Sequence, residues 1–182
     1  MGLDMYLNQK FYVKNWRHTE LKDKYSITIR KGGKFTPIPT SKITYIETEV
    51  MYWRKANAIH KWFVDNVQGG NDDCGSYYVD REKLKELLAI CTKIIEASKL
   101  VKSKVNNGYK IEHGIETPIM EDGETIENPK VADELLPTQS GFFFGNTDYD
   151  QYYYEDIKYT KENLEKLLAE DNGGDFEYHS SW

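Results

Sequence analysis

The chain has 182 residues, 39% hydrophobic and 30% charged, which suits a globular protein long enough to bury a core and sets one domain as the expectation. No apolar run approaches the ~20 residues that cross a bilayer, and the start, MGLDMYLNQK, lacks both the pattern of a secretory signal and that of a myristoylation site, since Tyr6 stands where Ser or Thr is preferred. The net charge of −6 divides unevenly, with 20 Lys/Arg and 12 Asp/Glu in residues 1–111 against 4 and 18 in residues 112–182, an acidic excess that argues against nonspecific duplex binding, so that no bulk nucleic acid is expected as a partner.

Two readings of that asymmetry stand: the halves neutralise each other, or the basic half attracts an anion while the acidic half keeps out bulk nucleic acid; a further reading has the acidic surface mimic DNA toward a host protein. The two cysteines, Cys74 and Cys91, make no metal or redox motif and are expected as reduced thiols of a cytoplasm.

In chain order, Leu3, Met5 and Leu7 alternate with Asp4, Tyr6 and Asn8, the pattern of a half-buried strand that extends toward Val13. Residues 15–24 read as a loop. YSITIR (25–30) predicts a strand, and Lys31-Gly32-Gly33-Lys34 predicts its turn, with a short return near Phe35 that Pro37 and Pro39 end. Another strand is predicted over 43–50.

The segment MYWRKANAIHKWFVDNV (51–67) has the period of an amphipathic helix stopped by Gly69-Gly70. A loop follows over 68–76. Asp80 caps a second helix with an apolar stripe from Leu84 to Ile95, read to about Ser103. Residues 104–128 form a long excursion with one hairpin (109–115 with 117–126), and residues 131–136 a short helix stopped by Pro137. Gly141-Phe142-Phe143-Phe144-Gly145 suits a buried strand that joins the sheet. A third main helix is expected over 147–171, with a break near Tyr159 as the alternative. The chain thus reads as α+β, a small antiparallel sheet covered by three main helices, in a single domain over 1–172 with a flexible tail over 173–182.

On a helical wheel of 51–67, Tyr52, Ala56, Ile59, Phe63 and Val67 share the core side. The next arc carries Trp53 and His60, then Asn57, then Lys61 and Arg54. An indole stacks on planar groups, a guanidinium grips phosphate with two bonds, and an ammonium serves as a point charge. Asn57 reads a donor–acceptor edge, and an imidazole at position 60 bonds an anion or serves as acid or base. The alternative reading makes Trp53 and His60 boundary residues and the others a solvated face with a Lys61–Asp65 pair. Of the tyrosines at 149, 152, 153, 154 and 159, Tyr149 and Tyr153 are candidates to close the site.

The four histidines are scattered without a metal-ligand spacing, and there is no Walker loop, GxGxxG or GxSxG. No catalytic residue, metal or cofactor is therefore assigned. An Asp4–His60 acid–base pair forms only if the first strand abuts the first helix.

The segments GLDMYL, WRKANAIHKWFVDNVQ, ELLPTQSGFFFG and TDYDQYYYEDI together resemble a family of small hypothetical proteins of phages and prophages. The resemblance implies expression in a bacterial cytoplasm and an accessory role such as countering host defence. It carries no activity. The function expected is non-enzymatic capture of a small anionic, nucleotide-like ligand. The alternatives are an acidic, tyrosine-rich inhibitor of a host protein and a hydrolase using Asp4 and His60. No membrane partner is expected, and homo-oligomerisation stays open.

Overall fold

A computed structural model describes residues 2–113, 115–141, 144–170 and 172–182. In chain order its elements are β1 (Asp4–Tyr12), β2 (Arg30–Lys31), β3 (Lys34–Phe35), β4 (Tyr45–Arg54), α1 (Asn57–Asn66), β5 (Tyr77–Val79), α2 (Arg81–Ala97), β6 (Leu100–Glu112), β7 (Ile115–Ile126), α3 (Lys130–Leu135), α4 (Gln151–Ala169) and β8 (Asp175–Ser181). The fold is α+β. A four-stranded antiparallel sheet in the order β4-β1-β8-β5 carries the helices on one face, and β6–β7 form a separate two-stranded ribbon.

The period of two decides which side chains are buried. Met5, Leu7 and Gln9 of β1, Met51 and Trp53 of β4, and Phe176, Tyr178 and Ser180 of β8 all turn inward. Their neighbours Asp4, Tyr6, Asn8 and Lys10 form the open face. There Tyr6 stacks on His179 with ring centres 4.6 Å apart, and Lys10 pairs with Glu177. The helices close the core with Ile59 and Phe63 of α1, Leu84, Leu87, Cys91 and Ile94 of α2, and Ile157 and Leu164 of α4. Each such aliphatic side chain, fully buried, contributes about 1.5–3 kcal/mol. Burial pushes the Cys91 thiol up to about 12, so it stays protonated and inert.

The caps follow the sequence. Asp80 accepts from the backbone N–H of Glu82, and Asp150 accepts from those of Tyr152 and Tyr153. Gly32 and Gly33, both with positive φ, make the predicted β2–β3 turn.

Several expected boundaries are corrected. The helix expected over 51–67 begins only at Asn57, because Met51–Arg54 continue β4 and pair with β1 from Leu7 back to Asp4. Lys55, at φ 60°, turns the chain between the two elements. Of YSITIR only Arg30 is in a strand, with no buried surface to extend the pairing. The second helix stops at Ala97 rather than Ser103, since Leu100–Glu112 pair with β7 in a ribbon longer than the expected hairpin.

The third main helix starts at Gln151, behind its Asp150 cap, and runs unbroken through Tyr159. Phe142 and Phe143 lie outside the described residues. Phe144 is buried at a bend, and the four strands of the sheet all come from elsewhere. Most consequentially, the expected flexible tail contains β8, an interior strand held by β1 on one edge and β5 on the other.

Candidate functional site

A cleft of about 750 Å³ opens where the β4–α1 junction meets the start of α4 and the middle of β6, within the size range of small-molecule sites. Arg54–Ile59 form one wall, Asn106–Tyr109 a second, and Tyr152, Tyr153, Glu155, Asp156 and Ile157 a third. Thr138, Gly141, Gly145, Asn146 and Asp148 complete it. Gly145 lies beside Lys55 with φ 84°, a left-handed backbone that favours glycine whatever the space around it.

The amides of the cleft act as its frame. Asn57 donates through Nδ2 to the carbonyls of Phe144 (2.9 Å) and Asn146 (2.8 Å), and its Oδ1 accepts from the N–H of Gln139 (3.0 Å). Asn146 donates to the Asn106 carbonyl and to Asp150, which ties the loop to β6 and to the α4 cap. The side-chain amides of Asn57 and Asn146 are thus bonded, whereas the side-chain oxygen of Gln139 is buried without a partner.

The charged groups are differently placed. Arg54 and Lys55 are exposed and have no ion-pair partner among the described residues. The carboxylates of Asp148, Glu155 and Asp156 likewise accept no hydrogen bond and form no ion pair there. Asp156 is half-buried, and its carboxyl is pushed up to about 7, first by burial and then by the nearby charges of Glu155 and Asp150. Around neutral pH it is therefore partly protonated and can donate as well as accept. Tyr109 and Tyr152 line the cleft with rings 52% and 40% exposed, enough to offer contact to a planar guest.

Of the seven predicted ligand residues, the cleft brings together Arg54, Asn57 and Tyr153. The other four are elsewhere. Trp53 is buried in the core and donates from Nε1 to the Thr160 hydroxyl at 2.8 Å. His60 has no exposed surface; its Nδ1 meets the Tyr178 hydroxyl at 2.7 Å and its Nε2 meets Asp72 at 3.1 Å. Asp72 also accepts from Trp182 Nε1, so this network fastens β8 and the loop after α1 to the core. Lys61 pairs with Asp65 at 2.6 Å on the surface. Tyr149 donates to Asp133 and packs edge-on against Tyr153, outside the cleft lining.

The single arc expected on one helix is thus not formed. Trp53 and Arg54 belong to a strand, where they face opposite sides, and His60 faces the sheet. The Asp4–His60 pair is not formed either: Asp4 lies on the open face and accepts from the Tyr52 hydroxyl. Asp150, part of the expected acidic surface, is buried as a helix cap.

Lys55, Tyr109, Asp148, Tyr152, Glu155 and Asp156 also line the cleft and are not among the seven residues predicted for a ligand. Asp156 had a legible signal, since it follows Tyr153 by three and precedes Ile157 by one, which puts it at the margin of the buried stripe of α4. Among the described residues, no cluster of three His, Cys, Asp or Glu is placed to hold a metal ion, and no helix is long and apolar enough to cross a membrane. Comparison with protein families, with curated proteins and with solved structures gives no match.

Proposed function

We propose that this chain is a non-enzymatic binding protein that takes a small anionic, nucleotide-like molecule in the cleft between the β4–α1 junction and α4. The observation that carries the reading is the presence, in one cleft of about 750 Å³, of two cations without partners and two part-exposed tyrosine rings on a rigid amide frame. Arg54 and Lys55 neutralise the anionic group, Arg54 with the geometry for two parallel bonds to a phosphate. Tyr109 and Tyr152 meet the planar part. Asp148 and Glu155 accept from hydroxyl or amino groups, and Asp156, when protonated, donates to the anion. In the phage setting that the sequence resemblance implies, capture of this kind withholds a host signal by binding it tightly and releasing it slowly.

Isothermal titration against a panel of mononucleotides, dinucleotides and cyclic nucleotides tests the reading. At least one member should bind with a micromolar or tighter constant, about −8 kcal/mol, and Arg54→Ala should weaken it by about tenfold. Lys55→Gly should do the same while raising the melting temperature, because it relieves a left-handed backbone that costs a residue with a side chain about 1 kcal/mol. Heat-silent titrations across the whole panel would remove the proposal.

A further inference from the structure

Between the last buried residue of β1's extension, Val13, and the start of β4 at Tyr45, the chain makes an excursion over residues 14–44 in which no residue is buried. Core packing therefore does not account for its composition. It carries eight of the chain's Lys/Arg and two of its Asp/Glu, a net of +6, while the remainder of the chain carries −12. Among the described residues the only ion pair within it is Lys22 with Glu20. Its aromatic rings face water: Trp16 is 49% exposed, Tyr25 51% and Phe35 72%. A soluble surface does not need large rings spaced among unpaired cations.

The excursion is nonetheless ordered. The Val13 N–H donates to the Thr44 carbonyl and closes its base. Asn15 bonds the backbone of Tyr25 in both directions, at 2.8 and 2.9 Å, and Thr19 caps the N–H of Trp16. The β2–β3 hairpin holds Phe35 opposite Arg30. Two rings each have a cation over a face, with Lys14 Nζ 4.5 Å from the Trp16 ring centre and the Arg30 guanidinium 4.6 Å from that of Phe35, and the His18 ring lies parallel to Trp16 with centres 6.5 Å apart. At its foot Tyr12 and Tyr45 meet edge to face, both exposed.

We propose that the 14–44 excursion is a binding surface for single-stranded nucleic acid. A part-exposed ring with a cation over it matches one unit of such a strand, the base stacking on the ring surface left exposed and the phosphate meeting the cation. Unstacked bases are required for this, which excludes a duplex, whose bases are already covered. The charge of the rest of the molecule favours the same choice, since a long rigid duplex would also run along acidic surface, whereas a flexible strand contacts the basic end alone. An acidic peptide would satisfy the cations but leave the rings without stacking partners.

The test is fluorescence anisotropy of a labelled 20-nucleotide mixed-sequence strand, as DNA and as RNA, with the full chain, beside a duplex of the same sequence, anionic phosphatidylglycerol vesicles and polyglutamate. The single strand should bind at least tenfold tighter than the duplex, with affinity falling as potassium chloride rises from 50 to 200 mM. Trp16→Ala and Phe35→Ala should each weaken binding by about tenfold, and Arg30→Glu with Lys34→Glu should abolish it. Lys93→Glu, on the exposed face of α2, should leave it unchanged. Because no residue of the excursion is classed as buried and Lys93 is exposed, all variants should melt like the parent. Equal affinity for duplex and single strand, indifference to the ring substitutions, or binding confined to vesicles or polyglutamate would overturn the proposal.

Discussion

At the scale of single residues, Asp156 links the cleft to stability. Its carboxyl titrates at about 7 in the folded chain against about 3.9 when unfolded. Between these values the folded state holds the proton and the unfolded state does not, so stability is full below about pH 4 and is lost as pH rises through 7. Asp156→Asn, which keeps the neutral shape, should raise stability at pH 8 by about 1–2 kcal/mol, a value below the full shift because the carboxylate keeps contact with water. At pH 4 the two proteins should unfold together. Urea titrations at both pH values check this, and an equal gain at each would show that the substitution acts through packing rather than through the proton. His60 and Trp53 show the limit of reading a residue type as a role. Both have the chemistry of a ligand site, yet burial and internal hydrogen bonds use their polar atoms to hold sheet and helices together.

At the scale of elements, β8 carries more than its polar composition suggests. Tyr178 is fully buried, stacks on Phe63 with ring centres 3.9 Å apart and bonds His60, all from a strand paired on both edges. Tyr178→Ala should cost about 3–5 kcal/mol, and removal of residues 173–182 should abolish the cooperative thermal transition seen by circular dichroism. An unchanged melt after truncation would mean that the sheet stands without β8.

The alternation of Phe176, Tyr178 and Ser180 was present in the sequence, but it followed two glycines and included only two large apolar residues, so it passed for a frayed end. By contrast β1 was legible from its alternation and α2 from its cap and stripe, since each signal is local and strong. The stretch 51–54 was not, because four residues with two inward apolar side chains, Met51 and Trp53, satisfy a period of 2 or of 3.6, and only pairing with β1 decides between them. Of the site, Arg54, Asn57 and Tyr153 were recoverable from residue type. That they converge with Asp156 and Tyr109 depends on the pairing of the ribbon and on the placement of residues 138–141 and 144–148.

At the scale of the whole molecule, charge and burial are distributed independently. Replacing residues 14–43 with a short Asn-Gly-containing turn between Val13 and Thr44 removes no buried side chain. The shortened chain should keep its melting temperature within about 4 °C, the shift produced by roughly 1 kcal/mol in a domain of this size, while its net charge moves from −6 to −12. A collapse in melting temperature would assign the excursion to the core's support instead. The position of β8 between β1 and β5 has a kinetic consequence as well. Its partners in β1 are synthesised some 170 residues earlier, so during translation the greasy inner side of the growing sheet waits, half assembled, until the Asp175–Ser181 segment has left the ribosome. Assembly of this chain is therefore a late, long-range event, of the kind that favours slow maturation and a need for protection by chaperones while it is incomplete.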